Sequence, residues 1–398
     1  MLTTAEALDR ILAAMPELPA EAVDLSLAAG RVLRQVVTAE RDQPPFDRVM
    51  MDGIAIAHAD FASGQREFAI QCTQMAGDAA AELVPGHCVE IMTGAALPAN
   101  ADCIIPVERI AVNDGVATLE EGYDAQAQQF IHPRASDHAA GSQLLGPGKR
   151  IAPADMAVIA SAGLASVEVS RLPVIRVIST GNELVAAGAP IEPHQIRLSN
   201  GPAIQTLLSQ HGYSDCAHDH LVDERDVLRE RIAGHLREAD MLILSGGVSM
   251  GKADYVPEVL AELGVKVSFH KISQRPGKPM WFGTAPGGTA VFALPGNPVS
   301  ALVCCRQYVI PALSKASAAN SRPPEFAALT SDVTFEPALT CFQPVRLVSS
   351  AAGEVLAIPV KTNTSGDFTA LSGTDGYVEL ALEESQFPAG MPVFLYRW

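Results

Sequence analysis

Apolar residues recur along this chain with two different periods, and the places where the period changes divide it. Near the N-terminus, Leu8, Ile11, Leu12 and Met15 recur at helical spacing behind a Thr3/Glu6 capping box. Residues 1–40 read as helical, ending near Gly30. The segment 43–48, QPPFDR, breaks that pattern with two prolines. From 52 to 135, short apolar runs (GIAIA, EFAIQC, HCVEIMTG, DCIIPV, GVATL) alternate with turn residues, as in an all-β module. Helical spacing returns over 153–162, with Pro153 suited to a first helical position. The two helical segments are expected to pack together, which makes the β module an insertion.

From 173 to about 317 strands and helices alternate. VIRVIST is a strand, AIQTLLSQHG a helix stopped by Gly212, 223–238 a helix, MLILSGG a strand and 255–263 a helix. KVSFHKI and TAVFALPGN are strands, and 298–310 is a helix. That alternation predicts a mostly parallel, doubly wound sheet, which binds ligands at the carboxyl ends of its strands. After Pro323 and Pro324 the pattern is β-like to Trp398. The expected organisation is a split helical domain (1–42 and 139–172), an inserted β domain (43–138), a central α/β domain (173–318) and a C-terminal β domain (319–398).

Composition narrows the class. Of 398 residues, 48% are hydrophobic and 18% charged, so the chain is globular with ample core. No apolar run approaches the roughly 18 residues of a membrane span, and no signal peptide opens the chain. Seven scattered cysteines without a C-x-x-C pair suit a reducing cytoplasm rather than a disulfide framework or structural zinc. The net charge of −17 disfavours nucleic acid and directs attention to small anions held in a local basic pocket.

Three loops leave predicted strand ends in the α/β domain. Gly181-Asn182-Glu183 follows VIRVIST, and LILSGGVSMGKAD (242–254) places Gly246, Gly247 and Ser249 after a strand, with Asp254 at the close. Pro295-Gly296-Asn297-Pro298 follows AVFAL, with Asn297 a good N-cap and Pro298 suited to the first helical turn. Glycine turns and helix N-termini accept anions. Each loop alone is compatible with ordinary turn chemistry; three at one sheet edge point to a phosphate-bearing ligand. Gly246, Gly251 and Lys252 spell the start of an ATP-binding P-loop, but Ala253 replaces the metal-holding hydroxyl and Asp254 would repel phosphates. His270, Lys271, Arg275 and Lys278 cluster around Pro276-Gly277 and could focus positive potential on an anion. Glu183, Asp254 and Asp223 are acids on or beside the same edge, suited to a hard metal such as magnesium or to acid/base work. In the β module, Asp52 and Thr93 stand at glycine turns.

Together these motifs resemble the molybdopterin molybdenumtransferase family, the last enzyme of molybdenum-cofactor synthesis and a relative of the gephyrin E domain. The matching pieces are Met51-Asp52-Gly53, Met92-Thr93-Gly94-Ala95, Ser179-Thr180-Gly181-Asn182-Glu183-Leu184 and Ser245-Gly246-Gly247-Val248-Ser249. Ala253-Asp254-Tyr255, Arg275-Pro276-Gly277-Lys278-Pro279 and Leu294-Pro295-Gly296-Asn297-Pro298-Val299-Ser300 follow, in the family's order over nearly the whole chain. The resemblance implies a homodimer of four-domain subunits whose C-terminal domain is a β barrel. It implies adenylylated molybdopterin and molybdate as substrates, magnesium or a similar divalent ion, and AMP as product. By the same resemblance Gly246, Gly247 and Ser249 lie against the pterin phosphate, in a substrate site that includes Pro295 and Pro298. Lys271, Arg275 and Lys278 hold anions, and Glu183, Asp223 and Asp254 bind metal or assist cleavage. Asp52 and Thr93 reach the site from the partner subunit, Asp137 matches a family acid, and Ser365 matches a serine near the molybdate. Three positions depart from the pattern. Asn182 replaces an Asp, His132-Pro133-Arg134-Ala135-Ser136 replaces a basic, glycine-containing run, and Pro344 replaces an arginine for which Arg346 could substitute. The departures leave a second reading open, a non-catalytic molybdopterin carrier or chaperone serving a recipient molybdoenzyme.

Overall fold

The strand Met241–Ser245 is buried along its whole length, and its alternate side chains feed two separate cores. Met241 and Ile243 join one core with Val177, Ile204, Leu208 and Phe292. Leu242 and Leu244 join the other with Ile178, Leu228, Val259 and Val291. A strand covered on both faces is what a helix-clad parallel sheet requires. The computed structural model describes residues 1–247 and 255–398.

The central sheet has six strands in the order Cys216–Leu221, Ile175–Thr180, Met241–Ser245, Ala290–Leu294, Trp281–Thr284 and Lys266–His270. The first four pair in parallel; the last two are antiparallel additions. Helix Asn200–Gln210 buries Ile204, Leu207 and Leu208, and helix Arg225–Glu238 buries Leu228 and Ile232, each on one helical stripe. Two strands carry no apolar pattern that announces them. Cys216–Leu221 (CAHDHL) is a half-solvated edge strand, and Trp281–Thr284 is a four-residue strand just after Pro279.

At the C-terminus, strands Thr340–Ser349, Val355–Pro359, Glu325–Leu329, Pro392–Arg397 and Gly376–Leu380 pair in that order. The last returns to the first, so five strands close into a barrel. The short strand Gln274–Arg275 of the α/β region adds to Thr340–Ser349.

The N-terminal capping box forms: Glu6 N–H donates to Thr3 Oγ1 at 3.2 Å and Thr3 N–H to Glu6 Oε2 at 2.8 Å. Residues 1–40 are not helical throughout. The helix spans only Thr4–Ala14; Pro16 and Pro19 follow, and the chain continues as strand Ala20–Asp24. Ala7 and Ile11 enter the α/β core.

By internal contact the chain divides into two units. One comprises Met1–Arg34, Gly148–Ile151 and Glu168–Trp398; the other comprises Gln35–Pro147 and Ala152–Val167. The helix Thr4–Ala14 belongs to the first unit and the helix Pro153–Ser161 to the second. The second unit is built on a six-stranded sheet, ordered Cys103–Pro106, Gly53–Ile56, His87–Ile91, Glu67–Gln74, Val116–Leu119, Ile110–Asn113. No helix among the described residues is long and apolar enough to cross a membrane.

Ile243 is fully buried at the centre of the parallel sheet. Ile243→Ala is expected to lower unfolding free energy by about 2–5 kcal/mol in chemical denaturation, the cost of a core cavity; a change well under 1 kcal/mol would contradict this packing.

Candidate functional site

Four parallel strands end together at one edge. Ser179 pairs with Ser245 and with His220, Thr180 with Leu221, and Ser245 with Leu294. The loops that follow Thr180, Leu221, Ser245 and Leu294 therefore start at one level. Between the two neighbours Ile175–Thr180 and Met241–Ser245 the chain's winding reverses, the switch point at which open α/β sheets bind ligands.

The floor of this edge is glycine backbone, for steric reasons. Gly246 has φ +99°, and a Cβ there would stand 2.6 Å from the carbonyl oxygen of Thr180. Gly247 has φ +62°, and its Cβ would meet Thr180 Oγ1 at 2.8 Å. Only glycine permits both the left-handed conformation and the close approach. Ser249 and Asp254, expected on the same loop, lie outside the described residues.

The acids sit on the neighbouring loops. Asn182 Oδ1 accepts a hydrogen bond from the Asp223 backbone N–H at 3.0 Å, tying the two loops together. An Asp at 182 would present the same acceptor oxygen, so the departure at Asn182 keeps this link. His220 Nε2 lies 2.9 Å from the carbonyl oxygen of Gly181. The Glu183 carboxylate folds back over Gly181, where an added Cβ would stand 2.6 Å from Oε2. Just before this loop, Ser179 Oγ and His218 Nε2 on the neighbouring strand are 3.0 Å apart, and burial holds the His218 pKa below its usual value.

The loop after Leu294 departs from expectation. Asn297 does stand at the N-cap with Pro298 in the first turn, but its side chain makes no capping bond. Asn297 Nδ2 donates instead to Ser365 Oγ at 2.7 Å, and the Val299 N–H donates to the Ser365 carbonyl at 3.1 Å. This helix end is therefore already partly satisfied, and the contact brings Ser365, from the C-terminal region, to the Pro295–Pro298 turn.

The basic segment is held from beneath by Gln274, which is fully buried. Its Nε2 donates to the Pro276 carbonyl at 2.9 Å, and its Oε1 accepts from the Tyr308 hydroxyl. Gly277, at φ +94°, is pressed against Cys304 so closely that a Cβ would meet Sγ at 2.4 Å. Lys271 has φ +76° and anchors its N–H on the Met280 carbonyl. Lys278 is exposed, and its carbonyl accepts from the Ile272 N–H. The guanidinium of Arg275 lies 6.0 Å over the Phe335 ring of the C-terminal region. Pro344 is buried in its strand, and Arg346 is exposed two residues on.

The second unit has two side-chain groupings of its own. Asp52 Oδ1 accepts from the Thr93 N–H at 2.6 Å and from the Thr93 hydroxyl at 2.7 Å. Those two bonds, the backbone one foremost, hold the Asp52 carboxyl below its usual pKa. Asp137 Oδ1 lies 3.0 Å from His132 Nε2, and the other ring nitrogen of His132 faces Arg48 Nη2 at 3.0 Å. Because arginine can only donate, His132 Nδ1 accepts and Nε2 carries the proton given to Asp137. Arg134, in the same altered run, pairs with Asp42 at 2.6 Å.

For a divalent ion, no group of three or more His, Cys, Asp or Glu gathers among the described residues. Glu183 and Asp223 on linked loops are two hard oxygen donors, a number that suits magnesium when waters and substrate phosphates complete the shell.

Two polar residues of this edge were given no role by the sequence: Thr180, although it lies within a matched motif, and Asn200. Thr180 ends its strand directly under Gly246 and Gly247. Asn200 opens helix Asn200–Gln210 and donates through Nδ2 to Ser245 Oγ and to the Gly296 carbonyl, both at 2.8 Å. The sequence carries no signal for Asn200, since Ser199 before it reads as an ordinary N-cap.

Three family models cover the chain in order. The MoeA N-terminal region (domains I and II) matches residues 2–163, the probable molybdopterin binding domain 176–315, and the MoeA C-terminal region (domain IV) 327–398. A molybdopterin molybdenumtransferase of Synechocystis sp. is 37% identical over 100% of both chains. One of Staphylococcus epidermidis is 30% identical over 98% of this chain and 94% of that protein. Two crystal structures of the molybdopterin biosynthesis MoeA protein of Pyrococcus horikoshii superpose on the whole chain. Their TM-scores are 0.82 and 0.83 at 27% and 25% identity, over 99% and 100% of those chains. A chain matched from end to end in sequence, domain order and fold belongs to the MoeA family of molybdopterin molybdenumtransferases.

Proposed function

We propose that this protein is a molybdopterin molybdenumtransferase, which inserts molybdate into adenylylated molybdopterin and releases AMP. The observation that carries the reading is the convergence of the Gly181, Asp223, Gly246 and Pro295 loops at the switch point of the sheet. The Gly246-Gly247 backbone offers close approach to a phosphate, with no side chain intervening. Lys271, Arg275 and Lys278 would balance the anionic charge of phosphate and oxyanion in a chain whose net charge is −17. Ser365, fixed on Asn297, would offer its hydroxyl to molybdate. Magnesium, when bound by Glu183 and Asp223, would neutralise charge on the adenylyl phosphate.

Glu183, Asp223 and Asp254 are the acids assigned to metal binding or cleavage. Asp52 and Thr93 are assigned to the same reaction from the partner subunit of a cytoplasmic homodimer, and Asp137 is a further acid assigned to it. Asp52 enters that role ionised, because Thr93 donates to it twice. The Asp137 carboxylate accepts a hydrogen bond from His132 Nε2, so the altered 132–136 run keeps that side chain oriented.

The direct test follows AMP from adenylylated molybdopterin with magnesium and molybdate. Asp254→Ala is expected to abolish molybdate-dependent AMP release while the thermal unfolding curve is retained. Undiminished turnover would refute the role of Asp254, and binding of the pterin by the parent chain without AMP release would favour a carrier. Thr93→Val removes one of the two donors to Asp52. The Asp52 carboxyl is then expected to titrate at higher pH than in the parent, read by NMR; superimposable titration curves would contradict the contact.

A further inference from the structure

Arg275 and Lys278 are exposed, while Gln274 and Gly277 beside them are buried, so what lies beneath this segment decides where its charges stand. Gln274 is fully buried, and both ends of its carboxamide are engaged. Its Nε2 faces the Pro276 carbonyl at 2.9 Å, which can only accept. The amide orientation is thereby fixed, and Oε1 is left to accept from the Tyr308 hydroxyl. Tyr308 is fully buried as well, and burial pushes its phenol well above the usual range, so it stays a donor. Cys304, one turn before Tyr308, closes the underside. Its Sγ lies 3.4 Å from Gln274 Nε2 and would stand 2.4 Å from a Cβ added at Gly277. The helix that carries both starts at Pro298, directly after the Asn297 that holds Ser365, and Tyr308 lies in its π turn, Cys305–Val309. Such turns are rare and frequent at functional sites.

Phenylalanine and methionine could fill the same core space. A buried polar pair brings only a modest net gain over such an apolar pair, and it becomes destabilising when one member is removed. What a fully satisfied polar pair adds is a single defined geometry. We propose that Tyr308, acting through Gln274, is a positioning residue for anion binding by Arg275 and Lys278. Its hydroxyl fixes one end of the carboxamide, the other end holds the Pro276 carbonyl, and the two cations on either side of Pro276 and Gly277 are placed as a result. Both residues are buried, so neither touches the anion itself. A segment ordered in advance loses less freedom when the anion arrives, and affinity rises accordingly. The inference rests on the molybdate reading above and extends it to the residues that preorganise the cations.

The test compares Tyr308→Phe, the double variant Gln274→Met with Tyr308→Phe, and Tyr377→Phe in molybdate-dependent AMP release. Tyr377→Phe is the control, because that hydroxyl is equally buried but donates to Gln307, at 2.9 Å, rather than to the basic segment's support. Tyr308→Phe leaves Gln274 Oε1 without its donor and is expected to melt below the parent. Its KM for molybdate should rise about tenfold, the scale of one hydrogen bond, with kcat little changed. The double variant leaves no buried carboxamide unpaired and should melt closer to the parent, yet its KM should stay raised, because nothing then holds the Pro276 carbonyl. Tyr377→Phe should melt below the parent and keep the parent's KM. An unchanged KM in Tyr308→Phe overturns the inference. So does a KM that recovers with the melting temperature in the double variant, or one that rises equally in Tyr377→Phe, since either assigns the hydroxyl to stability alone. A parent chain that releases no AMP overturns the functional reading instead. Calorimetric titration of the ligand-free proteins with molybdate then decides the inference, which stands if Tyr308→Phe binds more weakly than Tyr377→Phe and falls if the two bind alike.

Discussion

The structure depends on one constraint: neighbouring parallel strands of the α/β sheet must end level. Parallel pairing fixes register residue by residue, so Ser179 opposite Ser245 and Ser245 opposite Leu294 commit three loops to one height. A one-residue slip would reverse which side chains reach each face and exchange the two cores that Met241–Ser245 feeds. The same slip would separate Gly246 from Thr180. Packing and site geometry are therefore two results of a single register, and the buried aliphatic strand enforces both.

Around that edge, polar side chains act mainly as ties between segments. Asn182 joins the Gly181 loop to Asp223, Asn200 joins a helix start to Ser245 and Gly296, and Asn297 joins the Pro295 turn to Ser365. Gln274 does the same beneath the basic segment. Each uses a neutral amide, which can donate and accept at once without placing a net charge beside anionic ligands. The charged groups stand at the periphery of these ties, with Lys278 and Arg275 exposed to solvent.

Much of this was legible in the sequence because burial on both faces forces continuous apolar runs and tight turns force glycine. MLILSGG and AVFALPGN announce strand and turn together, and both were placed correctly. The edge strand Cys216–Leu221 was invisible because a half-solvated strand needs no apolar run; its His218 packs against Ser179 of the next strand and its His220 against the Gly181 carbonyl. The helix over residues 1–40 failed for the opposite reason. Val32 and Leu33 look like continuing helical core, but they are buried through extended bridges to Arg150 and Val169 from distant sequence. Among the residues of this edge, motif reading singled out Gly246 and Gly247, whose positive φ and close approach to Thr180 the fold does require. Thr180 stood inside a matched motif without a role, and Asn200 was not singled out, because threonine ending a strand and asparagine opening a helix are commonplace.

The glycine floor has a consequence for how such a pocket can diversify. Side chains at Gly246, Gly247 and Gly277 would collide with Thr180, Val256 or Cys304 before reaching a ligand. The centre is thus closed to substitution and presents the same main-chain surface whatever happens around it. A lineage adapting this scaffold to another pterin or oxyanion must work from the margin: the residues beneath the turn, the amide ties, and the barrel segment that delivers Ser365. Divergence within such proteins should accumulate as a ring around an unvarying middle.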